Sequence, residues 1–204
     1  MAFPVPSSRR SGPARSSETS DAIRDALVVE LAARGVDRTS IDAVASRAGV
    51  GKAAIYRRWP DKESMILDVL GGYATATELW ADTGSLGEDL RAFFGRCAEH
   101  LAEPTVARIV SDLLARVVRD EDFARALHER VGSVRRDRGI AMIDRAVDRG
   151  ELPVDCDREL AADLVLAPLY WRLVVTRGEI DDGYIDRLVA VTIAAISAGV
   201  SPSR

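Results

Sequence analysis

The 204-residue sequence predicts an all-α protein of about nine helices. Three observations carry that prediction. Apolar residues recur at three- and four-residue spacing along most of the chain, as in Ile23, Leu27 and Leu31. Ala, Arg, Val, Leu and Asp dominate and only 5% of the residues are aromatic, a balance that suits helices better than sheets. Glycine and proline fall between the periodic segments, and no segment reads convincingly as a strand.

Residues 1–18 are rich in Ser, Pro, Arg and Gly with little to bury, and read as a disordered basic arm carrying Arg9, Arg10 and Arg15. The first helix is predicted to open at Ser20 and to end at Gly35. Thr39 or Ser40 caps a short second helix with Ile41, Val44, Ala45 and Ala48, which Gly49 breaks. A third short helix covers about 51–58, and Asp61 caps a fourth that runs to about Trp80. Thr83-Gly84 interrupts the chain, and Ser85 with Glu88 has the spacing of a capping box before a stripe of Leu86, Leu90, Phe93, Phe94, Cys97 and Leu101. Pro104 introduces a helix at about 105–118, and a long helix is expected over 121–149, closed by Gly150. The last two helices span about 157–177 and 182–198, with Pro168 predicting a kink in the first. Both are apolar over more than one face, so a copy of the chain or the preceding helices must cover them. The first alternative is a homodimer through a four-helix contact.

The bulk properties narrow the function classes. Cys97 and Cys156 make no disulfide framework, and no apolar run or signal-like N-terminus stands out, so a soluble cytoplasmic protein away from the membrane is expected. The chain carries a net charge of -4, unevenly: residues 1–66 are net +3 and the remainder net -7. A basic head on an acidic body suggests that the head faces something anionic.

Residues 39–59, T-S-I-D-A-V-A-S-R-A-G-V-G-K-A-A-I-Y-R-R-W, locate that head. Ala45 is small where two helices would cross, Gly49 supplies the positive φ of a sharp turn, and Val50 and Ile55 are apolar where the second helix must grip the first. If Ile55 points inward, Lys52, Ala53, Tyr56 and Arg57 face outward, and no acidic residue lies between Lys52 and Pro60. Small residues for close approach, cations for phosphates or guanine edges and one hydroxyl-tipped aromatic suit the major groove of double-stranded DNA. A merely solvated basic patch is the alternative. Lys62 sits in the first turn of a helix, where a cation opposes the macrodipole, and a phosphate bound there would make sense of it. Thr39 or Ser40 could lend a hydroxyl or an N–H to the DNA backbone. Trp59 reads as core between the first and fourth helices.

From Thr39 to Ile66 the sequence closely resembles the DNA-binding domain of the tetracycline-repressor (TetR/AcrR) family, most specifically in the G-V-x-x-x-x-I-Y-x-x-W-P-x-K-E core. That likeness covers about residues 20–66. A looser one, in G-E-L-P-V-D-C-D-R-E-L-A-A-D-L-V-L-A-P-L-Y-W-R-L-V, resembles the C-terminal domain of one TetR subgroup. The resemblance implies an N-terminal three-helix helix-turn-helix DNA-binding domain at 19–66 and a C-terminal helical ligand-binding and dimerisation domain at 67–204. It implies a homodimer through the last two helices and a repressor that a small-molecule effector releases from a palindromic operator. By motif position, Ser40, Lys52, Ala53, Tyr56, Arg57 and Lys62 inherit the DNA contacts. Gly51 departs from the family pattern, which often has a capping hydroxyl there; glycine caps nearly as well but removes one phosphate contact.

Phe94, Leu113, Met142, Tyr170 and Trp171 are candidates to line an apolar ligand pocket, though residues of these types on a helical stripe are also ordinary core. Cys97 and His100, at i, i+3 with Glu103 nearby, have a spacing compatible with shared metal ligation, but no metal, cofactor or catalytic residue is assigned. Two rivals remain: an all-helical enzyme using the apolar cavity, and a helical module whose basic patch binds an acidic protein. Against an enzyme, the chain has no Gly-rich phosphate loop, no H-E-x-x-H and no G-x-S-x-G.

Overall fold

The computed structural model describes residues 14–74 and 80–198, and the regular structure among them is helical. In chain order these are α1 (Ala14–Arg38), α2 (Ile41–Ala48), α3 (Lys52–Tyr56), α4 (Lys62–Ala74), α5 (Leu86–Ala102), α6 (Pro104–Val117), α7 (Glu121–Leu127), α8 (Ser133–Asp148), α9 (Arg158–Tyr170) and α10 (Asp182–Ser197). Packing divides the chain into two compact units, the first Met1–Thr75 with Arg108–Val131, the second Ala76–Ala107 with Gly132–Arg204. The expected domain boundary at 66/67 falls inside α4, and the second crossing falls inside α6.

In the first unit the stripe Ile23, Leu27 and Leu31 of α1 is buried against Val44, Ile55, Met65, Ile66 and Val69, with Ile109 and Leu113 of α6 and Phe123 of α7 completing the core. Trp59 is buried in this core and donates its indole N–H to Asp68 of α4 at 3.0 Å. The second unit packs Leu86, Leu90, Phe93 and Phe94 of α5 with Met142, Ile143 and Ala146 of α8, Ala161, Val165 and Leu169 of α9, and Ile185, Val189 and Ile196 of α10.

Several boundaries differ from expectation for local reasons. α1 begins at Ala14 and Ser20 lies within it, because no Gly or Pro interrupts the chain between Pro13 and Gly35. Most of the expected arm lies outside the described residues. Helical dihedrals do fail at Gly35, whose φ is 79°. The expected helix over 121–149 is divided by a π-helical turn at His128–Gly132. The wide turn inserts a residue and re-phases the buried face, so that Phe123 enters one core and Met142 and Ile143 the other. The capping box at Ser85 does not form: the Leu86 N–H donates to Glu151 Oε2 at 2.7 Å, and Glu88 is exposed. Pro168 lies inside α9, and the irregularity it foretells comes one turn on, as a π-helical turn at Trp171–Val175. Residues 75–79, where the fourth helix was to continue, lie outside the described residues, and Trp80 is no longer helical.

Candidate nucleic-acid interface

The interface is built on a turn that only a few residue types permit. Ser40 caps α2, its Oγ accepting the Ala43 N–H at 3.2 Å. At the other end Gly49 takes φ 66°, ψ 30°, the left-handed conformation an L side chain disfavours, and the Val50 N–H closes the turn on the Ala45 carbonyl at 3.0 Å. Gly51 is the N-cap of α3, with no side chain to bond but in the extended conformation a cap requires. Such a short helix is held by its anchor: Ile55 is fully buried, with Val44 and Ala45 of α2 buried in the same core.

Burying Ile55 aims the opposite side outward. Lys52, Ala53, Tyr56 and Arg57 are all exposed, with Tyr56 53% accessible despite its ring. Ser40 is exposed at the start of α2. These five are the predicted contacts that the structure brings to one accessible region. Arg58 is turned away, its Nε donating to Ser20 on α1 at 2.9 Å. Lys52 is ion-paired at 2.7 Å with Asp42 of α2, both side chains largely exposed, and the hydrogen bond its ammonium donates to that carboxylate holds the lysine pKa above its ordinary value. Asp42 had no sequence signature beyond an acid in a first helical turn, where it suits the macrodipole. Glu30 of α1, almost wholly buried, receives Arg47 of α2 at 2.8 Å and Arg34 at 2.9 Å, and fixes α2 against α1.

Two predicted contacts are engaged elsewhere in the structure. Thr39 is 2% exposed and its hydroxyl donates to the Gly35 carbonyl at 2.7 Å, so it seals the end of α1 and is not on the face. Lys62 is half-buried, and its ammonium donates to the Val36 and Asp37 carbonyls at 3.0 Å each. The cation that looked misplaced at the start of α4 lies against the carbonyl end of α1, where the macrodipole favours it. Asp61 caps α4 through the Ser64 N–H at 2.7 Å, a bond that holds the Asp61 carboxyl below its usual range.

Comparison with known proteins bears on what this geometry is for. Residues 23–69 match the bacterial regulatory proteins of the tetR family, and residues 80–192 match the tetracyclin repressor-like C-terminal domain. The chain is 35% identical over 174 residues to the DNA-binding transcriptional repressor TetR of Mycobacteroides abscessus, covering 84% of this chain and 90% of that one. It is 30% identical over 191 residues to the uncharacterized HTH-type transcriptional regulator YdeS of Bacillus subtilis, covering 94% and 96%. Among solved structures, the TetR family transcription regulator SCO0332 superposes with a TM-score of 0.69 at 25% identity, covering 88% of this chain and 98% of that one.

The chain belongs to the TetR family.

It is accordingly a helix-turn-helix transcriptional regulator, and α2 and α3 are its helix-turn-helix. The candidate pocket residues are divided between the two units. Leu113 is in the core of the first unit. Phe94 and Met142 are sealed in the second core, Tyr170 is half-buried with its phenol pKa pushed up by burial, and Trp171 is 62% exposed. Among the described residues no cluster of His, Cys, Asp or Glu could hold a metal ion, and no helix is long and apolar enough to cross a membrane.

Proposed function

We propose that the protein is a cytoplasmic repressor that binds a palindromic operator as a homodimer and leaves it when a small molecule binds the second unit. The observation that carries the DNA half is the outward row Lys52, Ala53, Tyr56 and Arg57, held by buried Ile55 behind the Gly49 turn. Each subunit presents α3 to a major groove, with Ser40 and the α2 N–H groups toward the adjoining backbone.

Dimerisation is supported by uncovered apolar faces on the last two helices. Leu160 of α9, with Trp171 and Val175 in the turn that continues it, is exposed at helical spacing, and Val191 of α10 is 65% exposed between exposed alanines 190, 194 and 195. A stripe of that kind belongs against a second copy. Ligand control follows as a population shift: a molecule preferring the state with a different spacing of the two α3 helices lowers operator affinity by its preference for that state.

The test is Arg57→Ala against DNA flanking the protein's own gene, followed by anisotropy with an unrelated duplex as competitor. If Arg57 reads a guanine, affinity drops by about 1–3 kcal/mol and sequence preference relaxes. Equal binding of both duplexes by wild type and variant alike would leave α3 without a reading role.

A further inference from the structure

We propose that Arg172 is the positioning residue of the dimer face: it holds the hairpin of α9 and α10 so that two copies meet on a surface already in place. The proposal rests on the reading that these two helices carry the dimer contact, and it names the side chain that holds them ready.

The hairpin leaves regular geometry where α9 ends. A π-helical turn covers Trp171–Val175, closed by the Thr176 N–H on the Trp171 carbonyl at 2.9 Å. Just beyond it Arg177 takes φ 53°, and among the described residues no other side chain larger than glycine's has a positive φ. Wide turns and strained dihedrals persist where the surrounding bonds fix them, and they concentrate at functional positions. Trp171 and Val175, both in this turn, are exposed large apolar side chains of the dimer face.

The bonds that fix the turn converge on Arg172. Its carbonyl accepts the Gly178 N–H at 2.8 Å and the Thr176 hydroxyl at 2.8 Å. Its Nε donates to the Glu179 carbonyl at 3.2 Å. Its guanidinium lies 5.1 Å from the centre of the Tyr184 ring, and Tyr184 is tied to the start of α10 by its own N–H, which donates to the capping Asp181 carboxylate at 2.6 Å. One residue thus joins the end of α9, the connection to α10 and the first turn of α10.

Gly178 shows how closely that seat is fitted. A Cβ placed on it would lie 2.5 Å from Arg172 Nε and 2.6 Å from Cζ. Gly178 has no positive φ, so the arginine's seat requires the glycine and the backbone does not. A hairpin held in this way before association avoids the cost of being ordered on contact. Releasing it weakens the dimer although no apolar contact residue has changed.

The experiment uses the full-length chain as wild type, Arg172→Ala, Gly178→Ala and the double variant. Gly178→Ala leaves the arginine in the sequence and displaces it from its seat. Sedimentation over a concentration series reads the dimer dissociation constant, and circular dichroism at the dilute end reads the helix content of the separated subunit. Each single variant is expected to weaken the dimer roughly tenfold, since an exposed hydrogen bond and a cation–π contact are individually small but occur once in each subunit. The double variant should fall no further than Arg172→Ala, because an empty seat has room for a methyl group, and the separated subunits should match wild type in helix content. Dimers as tight as wild type in both single variants, losses that multiply in the double variant, or helix lost from the separated subunit would each overturn the positioning role. Val191→Arg tells this failure from that of the dimer reading. If it breaks the dimer while Arg172→Ala and Gly178→Ala do not, the role of Arg172 alone falls; if it leaves the dimer intact, the contact lies elsewhere and both fall.

Discussion

Replacing Lys62 by methionine separates the two roles open to this residue, because the variant keeps most of the aliphatic stem and removes the charge. In the structure its ammonium donates to the Val36 and Asp37 carbonyls at 3.0 Å each, one bond partly buried and one exposed. A hydrogen bond to a charged group contributes about 1.5–3 kcal/mol when shielded, and exposure reduces that sharply, so the pair together is worth about 1–2 kcal/mol. For a chain of this size the loss lowers Tm by roughly 3–6 °C. The salt dependence of DNA binding tests the alternative. A lysine on a phosphate contributes about 0.9 per subunit to the slope of log K against log salt. The expected outcome is a clear fall in Tm with the slope unchanged. A flattening of about 0.9 per subunit with Tm unmoved would refute the bracing role and restore Lys62 to the DNA face.

Three further expectations follow from named contacts. Asp42→Asn removes the carboxylate 2.7 Å from Lys52, so DNA binding should tighten and the salt slope steepen by up to about 0.9 per subunit; weaker binding would show that Asp42 positions Lys52 productively. Val191→Arg places a charge on the exposed apolar face of α10 and should convert the dimer to monomer in light scattering with the fold retained; an unchanged mass would place the dimer contact elsewhere. Burial pushes the Cys97 thiol from 9.0 up to about 11, so in a Cys156→Ser background alkylation at pH 8 should run about 100-fold slower folded than unfolded and climb tenfold per pH unit toward 11. Because the folded-state value is raised, the associated stability is complete below about pH 9 and fades as pH rises through about 11. Alkylation at pH 8 as fast as in the unfolded chain would contradict that environment.

The helix-turn-helix was legible because its determinants are local. Gly49 needs one dihedral, Ile55 needs one buried face, and Ser40 needs an N–H three residues on; each is fixed within a few positions. What was not legible depends on residues far apart in the chain. Thr39 and Ser40 are equivalent as caps by type, and only the carbonyl of Gly35, which accepts both the Thr39 N–H and the Thr39 hydroxyl, decides that Thr39 turns inward. Glu151 reaching the start of α5 and Asp42 reaching α3 are likewise tertiary facts. The π-helical turn at His128–Gly132 follows from two cores asking for different faces of one continuous apolar stripe, which no single-helix periodicity can show.

Lys62 also has neighbours that give its bracing role a wider meaning. Val36, one residue past the Gly35 break, has both of its backbone groups engaged: its carbonyl by Lys62 of α4 and its N–H by Asp112 of α6 at 2.5 Å. Four residues along α6, Arg116 pairs with Glu63 of α4 at 3.0 Å, with Asp37 at 3.5 Å and with Asp120 at 3.1 Å, and lies over the Phe123 ring. The end of α1, the start of α4 and the middle of α6 therefore meet in a single polar junction of the first unit. A side chain at Gly35 would place its Cβ 3.0 Å from the Asp112 carboxylate, so the junction has no room for slack. Under the proposed ligand control, any displacement of α6 must either carry the end of α1 and the start of α4 with it or break charge-assisted bonds to stay independent of them. Directional bonds of this kind favour the first course, since leaving the Val36 N–H and the Asp112 carboxylate unpaired costs more than moving them together. Re-aiming α1 and α4 re-aims α3, which is anchored between them by Ile55 and Trp59.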